Sequence, residues 1–164
     1  MTGPARAQPK IVVGVDGSPS SRQALRWAAG QAQLTGAQLH AVTSWRPPGT
    51  HGWETPLDAV DWAADARRTL DTAVEEVLSR GGPSPGDADR VTRHVLPGHP
   101  AEVLLAQAAD ADLLVVGSRG HGGFTGMLLG SVGLHVIAHA ACPVLVVRGD
   151  RPPPSGQVPG TGAA

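Results

Sequence analysis

Two short, unbroken apolar runs constrain what this chain can become: Ile11-Val12-Val13 near the start and Leu113-Leu114-Val115-Val116 about a hundred residues later. A strand that is apolar at every position has no face left for water, so helices must cover both sides of its sheet. That requirement points to a parallel sheet with helical crossovers. The 164-residue length suits a single domain with one sizeable core.

The chain reads in order as alternating strands and helices. Residues 1–9 are expected to be a disordered lead-in, and residues 10–148 the folded domain. Lys10 to Asp16 is the first strand. Gly17-Ser18-Pro19 turns the chain, with Ser18 placed to cap a helix and Pro19 at its first position. Leu25, Ala28, Ala29 and Ala32 form that helix's apolar stripe, and Gly36 ends it. Ala37 to Trp45 is the second strand. The Pro- and Gly-rich segment 46–56 forbids a regular element; it is a candidate cover for a ligand, with Trp45 or Trp53 against a base or simply over apolar surface. A long helix follows over 57–80, with Ala63, Ala66, Leu70, Val74 and Val77 on one side. Arg90 to Leu96 alternates apolar and polar residues, as an edge strand does. Pro100 opens a helix burying Ala101, Leu104, Leu105 and Ala108, and the fourth strand starts at Asp112. Val132, Val136 and Ala140 recur every four residues in a helix opening at Ser131, and Val144 to Arg148 is the fifth strand. Residues 149–164 are expected to be a disordered Pro/Gly-rich tail.

Between the fourth strand and the last helix lies Gly117-Ser118-Arg119-Gly120-His121-Gly122-Gly123, followed by Gly130-Ser131-Val132. A glycine-rich loop running from a buried strand into a helix start presents N–H groups and a positive dipole end to an anion, phosphate above all. Lys10 is the sole lysine among thirteen basic residues, and it lies far from this loop. A Walker-type phosphate loop, which needs a lysine after its last glycine, is therefore excluded.

The loop's spacing, two residues between Gly117 and Gly120 and nine more to Gly130-Ser131, resembles the ATP-binding signature of the universal stress protein family. Asp16, at the end of Ile11-Val12-Val13-Gly14-Val15, matches that family's acidic residue at the nucleotide site, and the likeness runs from about Lys10 to Arg148. The resemblance implies a doubly wound α/β domain of five parallel strands in the order 3-2-1-4-5. Its crevice would open beyond the carboxyl ends of strands one and four. It further implies ATP as ligand, with Gly130, Ser131 and Val132 at the terminal phosphates, Gly117 to Gly120 near the ribose and inner phosphates, and Val116 and Ser118 in the same binding stretch; Arg119 and His121 are either phosphate contacts or solvated loop residues. Gly14, Val15, Asp16 and the Thr43-Ser44 end of the second strand would line the rest. Asp16 would accept from a ribose hydroxyl or hold Mg²⁺ by one bond. No catalytic residue is expected, and hydrolysis would be slow at most. The fifth strand would pair across a two-fold axis in a homodimer. A dimeric interaction module that holds no nucleotide is the alternative on the same fold.

The remaining features exclude more than they assign. A net charge of -1 offers no electrostatic attraction to nucleic acid or to an anionic membrane. No apolar run approaches a membrane span, Met1 to Pro9 lacks the apolar centre of a secretion signal, and Cys142 is the sole cysteine. The cytoplasm is the expected location. Cys142, before Pro143, reads as a packed and inert thiol. Of seven histidines only His135 and His139 stand at a helical i, i+4 spacing, and no carboxylate or cysteine cluster accompanies them.

Overall fold

The computed structural model describes residues 8–47, 61–79, 90–120 and 128–149. The segments 1–9 and 46–56 fall partly, and the tail 150–164 wholly, outside that set. Nine elements follow one another: β1 (Lys10–Gly14), α1 (Pro19–Thr35), β2 (Gln38–Trp45), α2 (Trp62–Ser79), β3 (Val91–Pro97), α3 (Pro100–Gln107), β4 (Leu113–Gly117), α4 (Ser131–His139) and β5 (Val144–Val147). The strands form one parallel sheet in the order β3-β2-β1-β4-β5. The sheet order and the edge position of β3 are those expected.

Strand alternation divides the core into two layers. Ile11 and Val13 of β1, Leu39 and Ala41 of β2 and Val115 of β4 face α1 and α2, where Leu25, Ala28, Leu70 and Val74 close the packing. Val12, Val42, Leu114 and Val116 face the other way, against Ala101, Leu104 and Val136 of α3 and α4. β1 and β4 are thus covered on both sides, which is why their sequences are apolar throughout.

Element boundaries differ from the sequence expectation where local hydrogen bonds take over. β1 stops at Gly14: Val15 N–H still donates to Val42 C=O (2.9 Å), but Gly17 turns the chain at φ 82°. Asp16 therefore stands beyond the strand. α2 begins at Trp62, with the Asp61 carboxylate accepting from Ala64 N–H (2.9 Å) in the manner of a helix cap. Ser131 is not the cap of α4. Gly130 occupies that position in an extended conformation, and Ser131 is the first helical residue.

Candidate nucleotide-binding site

The order β3-β2-β1-β4-β5 reverses direction between β1 and β4, and there the chain leaves both carboxyl ends in opposite directions, into α1 and toward α4. Such a split opens a crevice in sheets of this kind. Two helix starts meet its rim. At α1, Ser18 accepts from Ser21 N–H (3.2 Å), so this end is capped. At α4 no side chain among the described residues caps the helix, and its first intrahelical bond is Leu134 N–H to Gly130 C=O (3.0 Å). The N–H groups of Ser131, Val132 and Gly133 precede that bond, so the helix itself cannot satisfy them.

The loop after β4 lies closely against both rims. Ser118 N–H donates to Val147 C=O and Gly130 N–H donates to Ser118 C=O, each at 2.9 Å, so the start of the glycine loop is held beside the start of α4. Arg119 N–H reaches Ser20 Oγ at 3.3 Å. A Cβ on Gly117 would sit 2.5 Å from Ser20 Oγ and 2.7 Å from the Ser20 carbonyl carbon. A Cβ on Gly120 would sit 2.7 Å from Asp16 Oδ2. Glycine at 117 is therefore demanded by the approach of α1, whereas a Cβ at 120 would push the Asp16 carboxylate aside. Asp16 Oδ1 accepts from Ser18 N–H (2.9 Å), and Asp16 N–H donates to Ser21 Oγ (3.3 Å), which holds the carboxylate at the mouth of the crevice.

Sequence positions and spatial roles do not match one for one. Gly14, Asp16, Gly117, Ser118, Arg119, Gly120, Gly130, Ser131 and Val132 gather around the ends of β1 and β4 and the start of α4. Val15 belongs to the α1/α2 core at 3 % exposure and Val116 to the opposite core, so their side chains are committed to packing. Thr43 is buried, while Ser44 is half-buried beside Leu96 in register. His121 lies outside the described residues, as does Trp53. Trp45 is half-buried and its C=O accepts from Gly98 N–H (2.9 Å). Ser20 was not singled out by spacing, since its part depends on a partner 99 positions away.

Among the described residues no group of three or more His, Cys, Asp or Glu side chains is placed to hold a metal ion. His135 and His139 lie face to face on α4, with ring centres 4.5 Å apart, and His139 Nδ1 meets His135 C=O at 2.9 Å. Burial pushes the Cys142 thiol up, chiefly by desolvation of the thiolate.

The sequence profile of the Universal stress protein family matches residues 9–148. The chain belongs to that family. Among curated members, universal stress protein Rv1996 of Mycobacterium tuberculosis is 39% identical over 145 residues, covering 84% of this chain and 43% of that protein. A universal stress protein of Mycolicibacterium smegmatis is 38% identical over 138 residues, covering 84% and 45%. This universal stress protein thus spans about half the length of the curated relatives it matches. Among solved structures, a universal stress protein in complex with cAMP superposes with a TM-score of 0.63 at 29% identity, covering 87% of this chain and 98% of that one. The universal stress protein from Archaeoglobus fulgidus in complex with dAMP gives 0.58 at 28% identity, covering 86% and 98%. Adenine nucleotides are thus the ligands of two solved relatives. Among the described residues of this chain, no helix is long and apolar enough to cross a membrane.

Proposed function

We propose that the crevice between β1 and β4 binds an adenine nucleotide, ATP in the first instance, and that the chain works as a nucleotide-dependent dimeric sensor or regulator. The observation that carries this reading is the start of α4, set by Gly130 against the glycine loop and uncapped by any side chain among the described residues, with three N–H groups beyond the reach of the helix's own bonds. Phosphate oxygens are acceptors suited to such groups. Ser131 and Val132 would hold the terminal phosphates, Gly117 to Gly120 the ribose side, and Gly14, Val15 and Ser44 the base side. Asp16, fixed by Ser18, would accept from a ribose hydroxyl or hold one Mg²⁺ position.

The energies agree with a site distributed over the whole crevice. A helix end contributes about 0.3–1 kcal/mol at an exposed site, and hydrogen bonds to a charged group roughly 1.5–3 kcal/mol each. Micromolar affinity requires about 8 kcal/mol. Three N–H groups and one dipole together span roughly 5–10 kcal/mol, from which the cost of immobilising the ligand is taken, so burial of the base must add to them. Rapid turnover is not part of the proposal. The one lysine sits at the amino end of β1, where Lys10 Nζ is bound to Gln107 C=O (3.0 Å) and Asp110 (2.6 Å), at the opposite end of the strand from the crevice.

Dimerisation through β5 is proposed on a separate observation. β5 is an edge strand with Val144, Leu145 and Val146 half-buried, and Leu134 and Ile137 of neighbouring α4 are 51 % and 49 % exposed. This surface equally suits the second reading, a dimeric interaction module without nucleotide.

The deciding experiment identifies by mass spectrometry what freshly purified protein releases on denaturation, and titrates ATP and Mg²⁺ by calorimetry. Gly130→Ala is the informative variant. Its added Cβ would meet nothing among the described residues closer than 3.8 Å, so those neighbours leave room for it at the very start of α4. Adenine nucleotide bound by the wild type and at least tenfold more weakly by Gly130→Ala, at unchanged stability, is the expected result. Empty protein that ignores added ATP leaves only the interaction module.

A further inference from the structure

On the α3 face of the sheet, away from the crevice, His40 of β2 and His94 of β3 meet through their rings. His40 Nδ1 lies 3.0 Å from His94 Nε2, the ring centres are 5.1 Å apart and the planes differ by 11°. The nearest atoms are far closer than the centres, so the rings touch edge to edge through a shared proton rather than face to face. At 3.0 Å one of these two nitrogens donates and the other accepts, which leaves no position for a metal ion between them. The other nitrogen of His40, Nε2, is buried and has no hydrogen-bond partner among the described residues.

Two neutral imidazoles carry two N–H groups, and one of them occupies the bridge. In either tautomer His40 Nε2 is left buried without a partner, as an unpaired donor or an unpaired acceptor. A third proton keeps the bridge but places a charge in this partly buried pair, and a fourth requires two protons in the bridge and breaks it. The charged groups facing the pair are Lys10 of β1 and Asp110 of the turn after α3, already joined to each other; Arg93, on the opposite face of β3, is paired with Asp71.

The geometry points to an acid-labile clasp: the His40–His94 bond fastens edge strand β3 to β2 while both rings are neutral and loosens that strand once the pair takes up protons. Burial, followed by the neighbouring Lys10 charge, holds both histidines below their ordinary value, in keeping with this. Because the folded-state values are depressed, the unfolded chain binds protons first. The clasp's contribution is complete above about pH 6.5, the ordinary histidine value, and is lost as pH falls through the lowered folded values. The pair titrates as a unit, so the loss belongs to both rings together. The clasp is a property of the sheet and stands whether or not the crevice holds a nucleotide.

The test compares the full chain with the double variant His40→Asn/His94→Gln, in which side-chain amides replace the two bridging nitrogens without a titrating group. Urea unfolding from pH 7.5 to pH 5 is expected to show the wild-type folding constant falling by up to about tenfold per pH unit for each proton taken up. The double variant should have a slope smaller by at least one proton. Amide exchange protection at Thr92 to Leu96 should fall with it in the wild type alone. Imidazole nitrogen NMR on the wild type reads the same inference independently of how well the variant folds: at pH 7.5 one proton must lie between His40 Nδ1 and His94 Nε2. A proton on neither or on both of these nitrogens, either ring titrating at the ordinary value, or coincident acid slopes for the two proteins overturns the clasp.

Discussion

The approach of α1 to β4 at Gly117 is tight enough to predict what one methyl group does. In Gly117→Ala the new Cβ would lie 2.5 Å from Ser20 Oγ, 2.7 Å from the Ser20 carbonyl carbon and 2.8 Å from its oxygen. A side-chain oxygen can rotate away; two backbone atoms of a helix's first turn cannot. Relief requires α1 to move off β4 by several tenths of an ångström, disturbing the core where Leu25 and Ala28 pack beside Val115. Overpacking of this kind costs typically about 1–3 kcal/mol, and the backbone clash places Gly117→Ala in the upper half of that range. For a domain of this size the expected fall in Tm is about 2–4 °C per kcal/mol. Urea unfolding followed by tryptophan fluorescence and circular dichroism provides the measurement, with Gly130→Ala as the control. Adding Ser20→Ala should recover only a small part of the loss, because the carbonyl group remains. A Gly117→Ala protein within about 0.5 kcal/mol of wild type would refute the close approach and the packing role assigned to this glycine.

Two further outcomes follow from named contacts. Ser18→Ala removes the acceptor for Ser21 N–H at the start of α1, and should cost about 0.5–2 kcal/mol in chemical denaturation. Lys10→Met removes the hydrogen bond that, above all, holds the Asp110 carboxyl below its ordinary value. Asp110's contribution is present above the ordinary aspartate range and lost as pH falls through the depressed value. Carboxyl carbon NMR should therefore show Asp110 returning upward in Lys10→Met, with His40 and His94 also rising, and an Asp110 value unchanged from wild type would rule out Lys10 as the cause.

Most of the architecture was legible because it depends on short-range pattern. Unbroken runs such as Leu113 to Val116 announce strands covered on both sides, and the stripe of Leu25, Ala28 and Ala29 announces the helix face that covers them. The strand order came from the family likeness, not from the residues themselves. What escaped is what register decides. Val15 reads as a crevice residue from its position beside Asp16, yet strand alternation turns its side chain into the α1/α2 core. Ser20 and Arg119, or His40 and His94, are 99 and 54 positions apart and carry no spacing signal. Of the helix expected over 57–80, residues 57–60 and 80 lie outside the described residues; within them α2 starts after Asp61, a cap that apolar periodicity does not locate.

The central place of β1 has a kinetic consequence. β1, α1, β2, α2 and β3 are consecutive, so that half of the sheet closes through contacts of modest sequence separation. The other wall of the crevice waits for β4, whose pairing with β1 brings together residues such as Lys10 and Asp112, 102 positions apart. Closing so long a loop is slow relative to local pairing. The half-sheet holds the contacts that can form first, with Val12 and Val13 at an open edge until β4 docks, and a ligand that needs both β1 and β4 would slow unfolding rather than speed folding.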